Sequence, residues 1–157
     1  MADECFVSGD PELLDFDVIH AFLSTCYWSP GISRALVEKA AAHSLTFGVY
    51  DSSRPRRPDD PRPSQIGYAR MITDRATYAY LADVFILDSH RGRGLSKRLM
   101  QHIMAHPDLQ GIRRMMLMTR DAHGLYAQFG FAALAAPDRA MEKTMPNPYP
   151  RPPTAAP

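Results

Sequence analysis

Apolar positions recur along this chain with two periods. A two-residue alternation marks half-buried strands, and a 3.6-residue spacing marks helices with one buried face. The stretch "ECFVSGD" (4–10) reads as a short first strand. In "DFDVIHAFLSTCYW" (15–28) Phe16, Ile19, Phe22 and Leu23 fall at helical spacing, and Ser29-Pro30-Gly31 breaks the pattern. Ser33 is placed to cap a second helix over "SRALVEKAAAH" (33–43). "LTFGVY" (45–50) is a strand. Residues 51–64, "DSSRPRRPDDPRPS", hold four prolines and no apolar periodicity, and predict an exposed connection.

"QIGYARMIT" (65–73) and "YAYLADVFIL" (78–87) predict an antiparallel pair turning at Asp74-Arg75. A helix from about Gly92 to Ala105 buries Leu95, Leu99 and Ile103, with Met100 and Met104 beside them, and Pro107 ends it. "IRRMMLMT" (112–119) is a strand and "DAHGLYAQF" (121–129) a short helix. "GFAAL" (130–134) and "AMEKTM" (140–145) predict two more strands. Strands before and after helices, with one hairpin, indicate an α/β sheet of mixed direction. The expected domain is 1–145. The tail "PNPYPRPPTAAP" (146–157) has six prolines in twelve residues, and is expected to be disordered and dispensable for folding.

A length of 157 residues fits one domain able to fold without staples. Net charge is +1, from 18 basic and 17 acidic residues, which gives no global argument for nucleic acid. Cys5 and Cys26 are the only cysteines and form neither a metal-ligand spacing nor a disulfide framework. No basic start followed by an apolar block suggests a leader, and no apolar run is long enough for a bilayer. A cytoplasmic protein with no membrane partner and no metal is expected.

Basic residues are concentrated where the chain passes from strand to helix, in "LADVFILDSHRGRGLSKRLMQHI" (81–103). Arg91, Arg93, Lys97 and Arg98 crowd a helix start, which already favours anions through its unpaired N–H groups and its dipole. A nucleotide P-loop does not fit, because its Gly-Lys-Ser/Thr ending is missing. A dinucleotide fingerprint fits poorly, with Lys97 in place of the third glycine. Arg91-Gly92-Arg93-Gly94-Leu95-Ser96 fits R/Q-x-x-G-x-G/A less its last residue, a pyrophosphate cradle. An ordinary turn with a solvated basic face is the alternative.

With these residues in view, the chain resembles the GNAT superfamily of acyl-coenzyme A-dependent N-acyltransferases. "LADVFILDSHRGRGLSKRLM" is similar to that family's central strand, cofactor loop and following helix, and "LYAQFGF" (125–131) to its Tyr-x-x-x-Gly-Phe element. The resemblance spans roughly residues 3–145, in outline only before residue 60. It implies a mixed, centrally splayed sheet of six to seven strands, with acetyl-CoA as acyl donor. Val84, Phe85 and Ile86 would lie along the pantetheine, and Arg91, Gly92, Arg93, Gly94, Leu95, Ser96 and Lys97 would hold the pyrophosphate. Ser96 stands where the family usually has Gly or Ala, and Thr119 where many members have Asn.

The resemblance further implies that Tyr126 is the general acid for the departing thiolate; a packed tyrosine is the plain alternative. Asp83 is a lone charge in an apolar strand, which needs an explanation. It could order the water that takes the amine's proton, bind a cationic substrate, or accept backbone N–H groups. Alternation puts Asp83 and Phe85 on one face and Val84 and Ile86 on the other. Tyr27 and Trp28 could line an acceptor pocket or pack in the core. His123 reads as a surface residue, and Cys26 as a buried hydrophobe rather than a nucleophile. The leading expectation is transfer of acetyl from acetyl-CoA to a primary amine of a small molecule in a ternary complex, by a chain that could form a homodimer. The alternatives are a peptide or protein amine as acceptor, or a catalytically silent acyl-CoA sensor.

Overall fold

The computed structural model describes residues 4–150. Its strands are β1 (Cys5–Ser8), β2 (Leu45–Arg57), β3 (Asp60–Thr73), β4 (Tyr78–Ile86) and β5 (Arg114–Leu117). They form one sheet in the order β1-β2-β3-β4-β5. The first four run antiparallel, and β5 lies parallel to β4. A parallel pair needs a crossover, which α3 (Leu95–Met104) supplies. The remaining helices are α1 (Phe16–Leu23), α2 (Arg34–Ala42) and α4 (His123–Ala127).

Each α-helical stripe seen in the sequence finds a face of the sheet. Leu95, Leu99, Met100 and Ile103 of α3 are buried against Phe47, Val49, Met71 and Leu81. Ile19 and Leu23 of α1 and Val37 of α2 are buried with Tyr68 and Phe85. The Ser33 cap falls where the sequence puts it, and Asp15 caps α1 as well. Asp15 accepts from the Asp17 N–H at 3.1 Å and Ser33 from the Leu36 N–H at 3.3 Å. Asp74 accepts from the Thr77 hydroxyl at 2.6 Å and from the N–H groups of Thr77, Ala76 and Tyr78 at 2.8–3.1 Å, which fixes the β3–β4 turn and holds its carboxyl well below the usual range. The first helix ends at Leu23, the last of its regularly spaced apolar positions, and so is shorter than the stretch 15–28; Thr25–Trp28 form turns.

Two corrections concern strands. Residues 51–64 are not a loose connection but the far end of the β2–β3 hairpin, with Asp51 paired to Ser64 and Arg57 to Asp60 across two bulges. The prolines are tolerated because the ladder is irregular there. A charge network then pins this arm. Arg56 is only 3% exposed, pairs through Nε with Asp15 at 3.2 Å, and donates to the carbonyls of Leu13 and Leu14. Arg57 reaches Asp17 at 2.7 Å, and Arg62 reaches Asp60 at 2.8 Å.

The second correction is the strand count: five among the described residues, not six to seven. "GFAAL" makes no ladder, because Gly130 takes φ +87° and the Phe131 N–H turns back to the Tyr126 carbonyl, closing α4. "AMEKTM" forms no strand and pairs with none, and Met141 is 98% exposed. The chain then returns to the domain, where half-buried Tyr149 packs against the α1/α2-side cluster. The rest of the expected disordered stretch, 151–157, lies outside the described residues.

Candidate active site

The sheet opens where β4 and β5 part. Their pairing ends at Leu81 opposite Leu117, yet β4 continues to Ile86. Residues 82–86 therefore have no strand partner on the β5 side. On the other side Tyr68 faces Phe85 and Arg70 faces Ala82, so Ala69 alone opposes Asp83 and Val84. This is a β-bulge, with Asp83 at φ +57°, a conformation that costs a non-glycine residue about 1–3 kcal/mol and needs support from its surroundings. The sidedness expected from alternation survives: Val84 and Ile86 pack toward α3, and Phe85 packs toward α1. Phe85 stacks on Phe22 with centroids 3.9 Å apart.

A cleft of about 1200 Å³ follows this opening. It exceeds the 300–1000 Å³ typical of drug-sized ligands, leaving room for a long, two-ended one. At one end lies the glycine turn. Gly92 and Gly94 take φ +75° and +73°, and a Cβ at either would meet no protein atom within 4 Å. Gly94 is the N-cap of α3 and offers no side-chain cap. The first N–H groups of α3 are thus left for a ligand, and Gly92, Gly94, Leu95, Ser96 and Lys97 line the cleft.

The basic residues divide. Arg91 lines the cleft, donating through Nε to the Ile86 carbonyl at 3.2 Å and pairing with Asp88 at 2.9 Å. Lys97 lines it as well, but Arg93 does not. Arg98 turns away, donating to the Cys5 carbonyl of β1 at 2.6 Å. His90, which the sequence did not single out, stands beside Arg91; its Nδ1 is 2.8 Å from Ser89 Oγ and its Nε2 3.4 Å from Asp51 Oδ2.

The middle and far end hold the candidate chemistry. Tyr126 lies on α4, only 8% exposed, facing the cleft. Burial, reinforced by Tyr27 and Asp121, pushes its phenol up to about 12. Asp83 is anchored at both oxygens: Oδ1 accepts from Trp28 Nε1 at 3.0 Å and Oδ2 from Arg70 Nε at 2.5 Å. Tyr27 and Trp28 pack edge to face at 5.0 Å, and the Arg120 guanidinium lies 3.9 Å over the Tyr27 ring. Tyr149 closes this end from the C-terminal segment. Thr119 accepts from the Ala122 N–H at 3.0 Å, ordering the turn into α4.

Arg70 was legible in principle. It is the one charge in "QIGYARMIT", on the strand expected to pair with that of Asp83. Arg120 and Tyr149 carry no comparable signal. His123 is exposed and outside the cleft lining. Cys26 lines the cleft but bonds locally, to the Leu23 carbonyl and to Ser29.

Comparison with known proteins gives a consistent picture. The profile of the acetyltransferase (GNAT) domain matches residues 59–133. A protein of Gibberella zeae assigned as an acetyltransferase is 35% identical over 136 residues, covering 78% of this chain and 75% of its own. A crystal structure from Xanthomonas campestris pv. campestris, of a protein assigned to the GNAT acetyltransferases, superposes with a TM-score of 0.83 at 49% identity, covering 92% of this chain and 96% of that one. Mouse N-alpha-acetyltransferase 80 is 29% identical over 103 residues, which span 60% of this chain and 33% of the mouse protein.

Proposed function

This chain belongs to the GNAT family of acetyltransferases, and from that premise we propose that it moves the acetyl group of acetyl-CoA to a primary amine of a small molecule, by direct attack with both substrates bound. The observation that carries this reading is the continuity of the cleft. An unpaired stretch of β4 leads from the uncapped start of α3 to Tyr126. Acetyl-CoA supplies the activated thioester. Val84 to Ile86 offer backbone groups to its amide arm, as an added strand would. Gly92, Gly94 and the first turn of α3 would hold the pyrophosphate, with Arg91 and Lys97 balancing its charge.

The acceptor must attack as a free amine, yet an alkylamine is mostly protonated at neutral pH. Asp83 has both oxygens occupied, so we assign it a positioning role: it fixes Trp28 and Arg70 as the acceptor wall, while water in the open cleft accepts the amine's proton. Tyr126 lines the cleft where the leaving sulfur would lie. Its raised pKa keeps it protonated throughout the neutral range. A phenol at about 12 is a weaker acid than a thiol at about 8.5. Tyr126 therefore acts as a hydrogen-bond donor to charge developing on sulfur, and the proton released by the amine ultimately balances the thiolate.

A second reading, a peptide or protein amine as acceptor, is supported by the similarity to mouse N-alpha-acetyltransferase 80. We further propose the cytoplasm as its compartment, where thiols such as the buried Cys5 and the partly buried Cys26 stay reduced. Among the described residues no helix is long and apolar enough to cross a membrane. The test is incubation with acetyl-CoA and separate panels of small amines and short peptides, following thiol release and the mass of the acetylated product. Turnover of the small amines supports the proposal, turnover of peptides alone favours the second reading, and CoA binding without thiol release with any acceptor overturns both.

A further inference from the structure

The acceptor end of the cleft contains two guanidinium groups in different states. Arg70 is committed, with its Nε on Asp83 at 2.5 Å and a terminal nitrogen 3.3 Å from Ser44 Oγ. Arg120 has only its flat face engaged, 3.9 Å over the Tyr27 ring. Among the described residues no carboxylate, carbonyl or hydroxyl takes a hydrogen bond from Arg120, and it lines the cleft. Stacking fixes the plane of the guanidinium and leaves its N–H edges free, the arrangement suited to a bidentate carboxylate. Asp121 follows it, lines the same cleft and forms no ion pair among the described residues. Its charge is felt at Tyr126, the residue facing the chemistry. One uncommitted cation and one uncommitted anion thus stand side by side at the acceptor end. Tyr27, Trp28, Tyr80 and Tyr149 supply the aromatic walls.

Building on the acetyltransferase reading above, we propose that the acceptor is a small amine that also carries a carboxylate. Arg120 grips the carboxylate against the Tyr27 platform, and Asp121 draws the ammonium form toward Tyr126 before it loses its proton to water. An amine on a neutral body would leave Arg120 unanswered. An acceptor that is only anionic would have no use for Asp121.

The test compares free amino acids with their carboxamides and with the corresponding decarboxylated amines, measuring thiol release from acetyl-CoA. The expected result is at least one free amino acid acetylated with kcat/KM about 10–100-fold above its carboxamide, the range for a charge-assisted hydrogen-bond pair. In Arg120→Gln that ratio should collapse toward one through KM. Arg120→Lys, which keeps the charge without the fork, should fall between. Arg120 is exposed, and thermal melts of each variant verify the fold. Carboxamides and decarboxylated amines acetylated as well as the acids would overturn the carboxylate assignment and leave the small-molecule reading standing. So would a ratio unmoved in Arg120→Gln. No thiol release from any of the three sets would overturn both.

Discussion

Replacing Tyr126 by Phe removes one hydroxyl and leaves the ring. Two consequences can be separated from the structure. The ring is buried and sits edge to face with Phe131 at 6.1 Å, so packing is retained. Among the described residues no group hydrogen-bonds the hydroxyl, so its loss orphans no partner, and stability should change by less than about 1 kcal/mol. The chemistry should respond differently. Losing one positioned hydrogen-bond donor to developing charge typically costs about 10²–10³ in rate, or about 3–4 kcal/mol of barrier. kcat should therefore fall within that range while CoA affinity holds, and the deficit should shrink with acyl donors whose leaving thiol has a lower pKa. The shifted phenol adds a second signature. With its pKa pushed up to about 12, Tyr126 should cause no decline in rate between pH 9 and about 11, where an ordinary phenol near 10 would already ionise. The assay is initial-rate thiol release across pH, with single-turnover runs to confirm that chemistry limits. A Phe variant with undiminished single-turnover rate, or a wild-type rate that falls through pH 10 on a limb absent in the variant, would refute the reasoning.

Further perturbations test the parts that hold the cleft in shape. Arg56→Met removes the nearest cation from the buried carboxylate of Asp15, which keeps the Asp17 N–H and the Arg57 guanidinium at 3.8 Å, and should cost about 1–3 kcal/mol, read as a lower midpoint in guanidinium unfolding. Asp60, held down to about 2 chiefly by Arg62, contributes stability present above its unfolded value near 4 and lost as pH falls toward 2. Asp60→Asn should accordingly melt below wild type at pH 7 and converge with it near pH 2. Truncation after Met145 uncovers the cluster on which Tyr149 packs. Burying a large apolar side chain is worth about 1.5–3 kcal/mol; half of that should lower the melting temperature by a few degrees and raise KM for the acceptor more than for acetyl-CoA.

What the sequence made legible is what local pattern controls. The α3 stripe, the Ser33 cap, the β3–β4 turn and the glycine cradle all depend on residues within a few positions of one another. The residues 51–64 misled because four prolines outweigh strand propensity locally, whereas Arg56 secures the arm through Asp15, some forty positions away. "AMEKTM" misled the other way, since alternation is necessary for a strand but a neighbour must also be available. In the site, Tyr126 and Gly92–Ser96 stand within recognisable motifs. The bulge at Asp83 and the Arg120–Tyr27 stack do not, because each depends on tertiary registers that no spacing encodes.

The central claim is that the uncapped start of α3 holds the pyrophosphate of acetyl-CoA, and Gly94 tests it most directly. A Cβ there meets open space, and Asn and Asp are the side chains that tolerate φ +73° best. Gly94→Asn and Gly94→Asp therefore share shape and backbone strain and differ in one charge, set where phosphate oxygens must approach. Titration calorimetry of CoA into the three proteins should show Asp binding at least about tenfold more weakly than Asn, as like charges brought close in a partly desolvated cradle require. The gap should narrow as salt is raised. Equal affinity for CoA in the Asp and Asn variants would contradict the account.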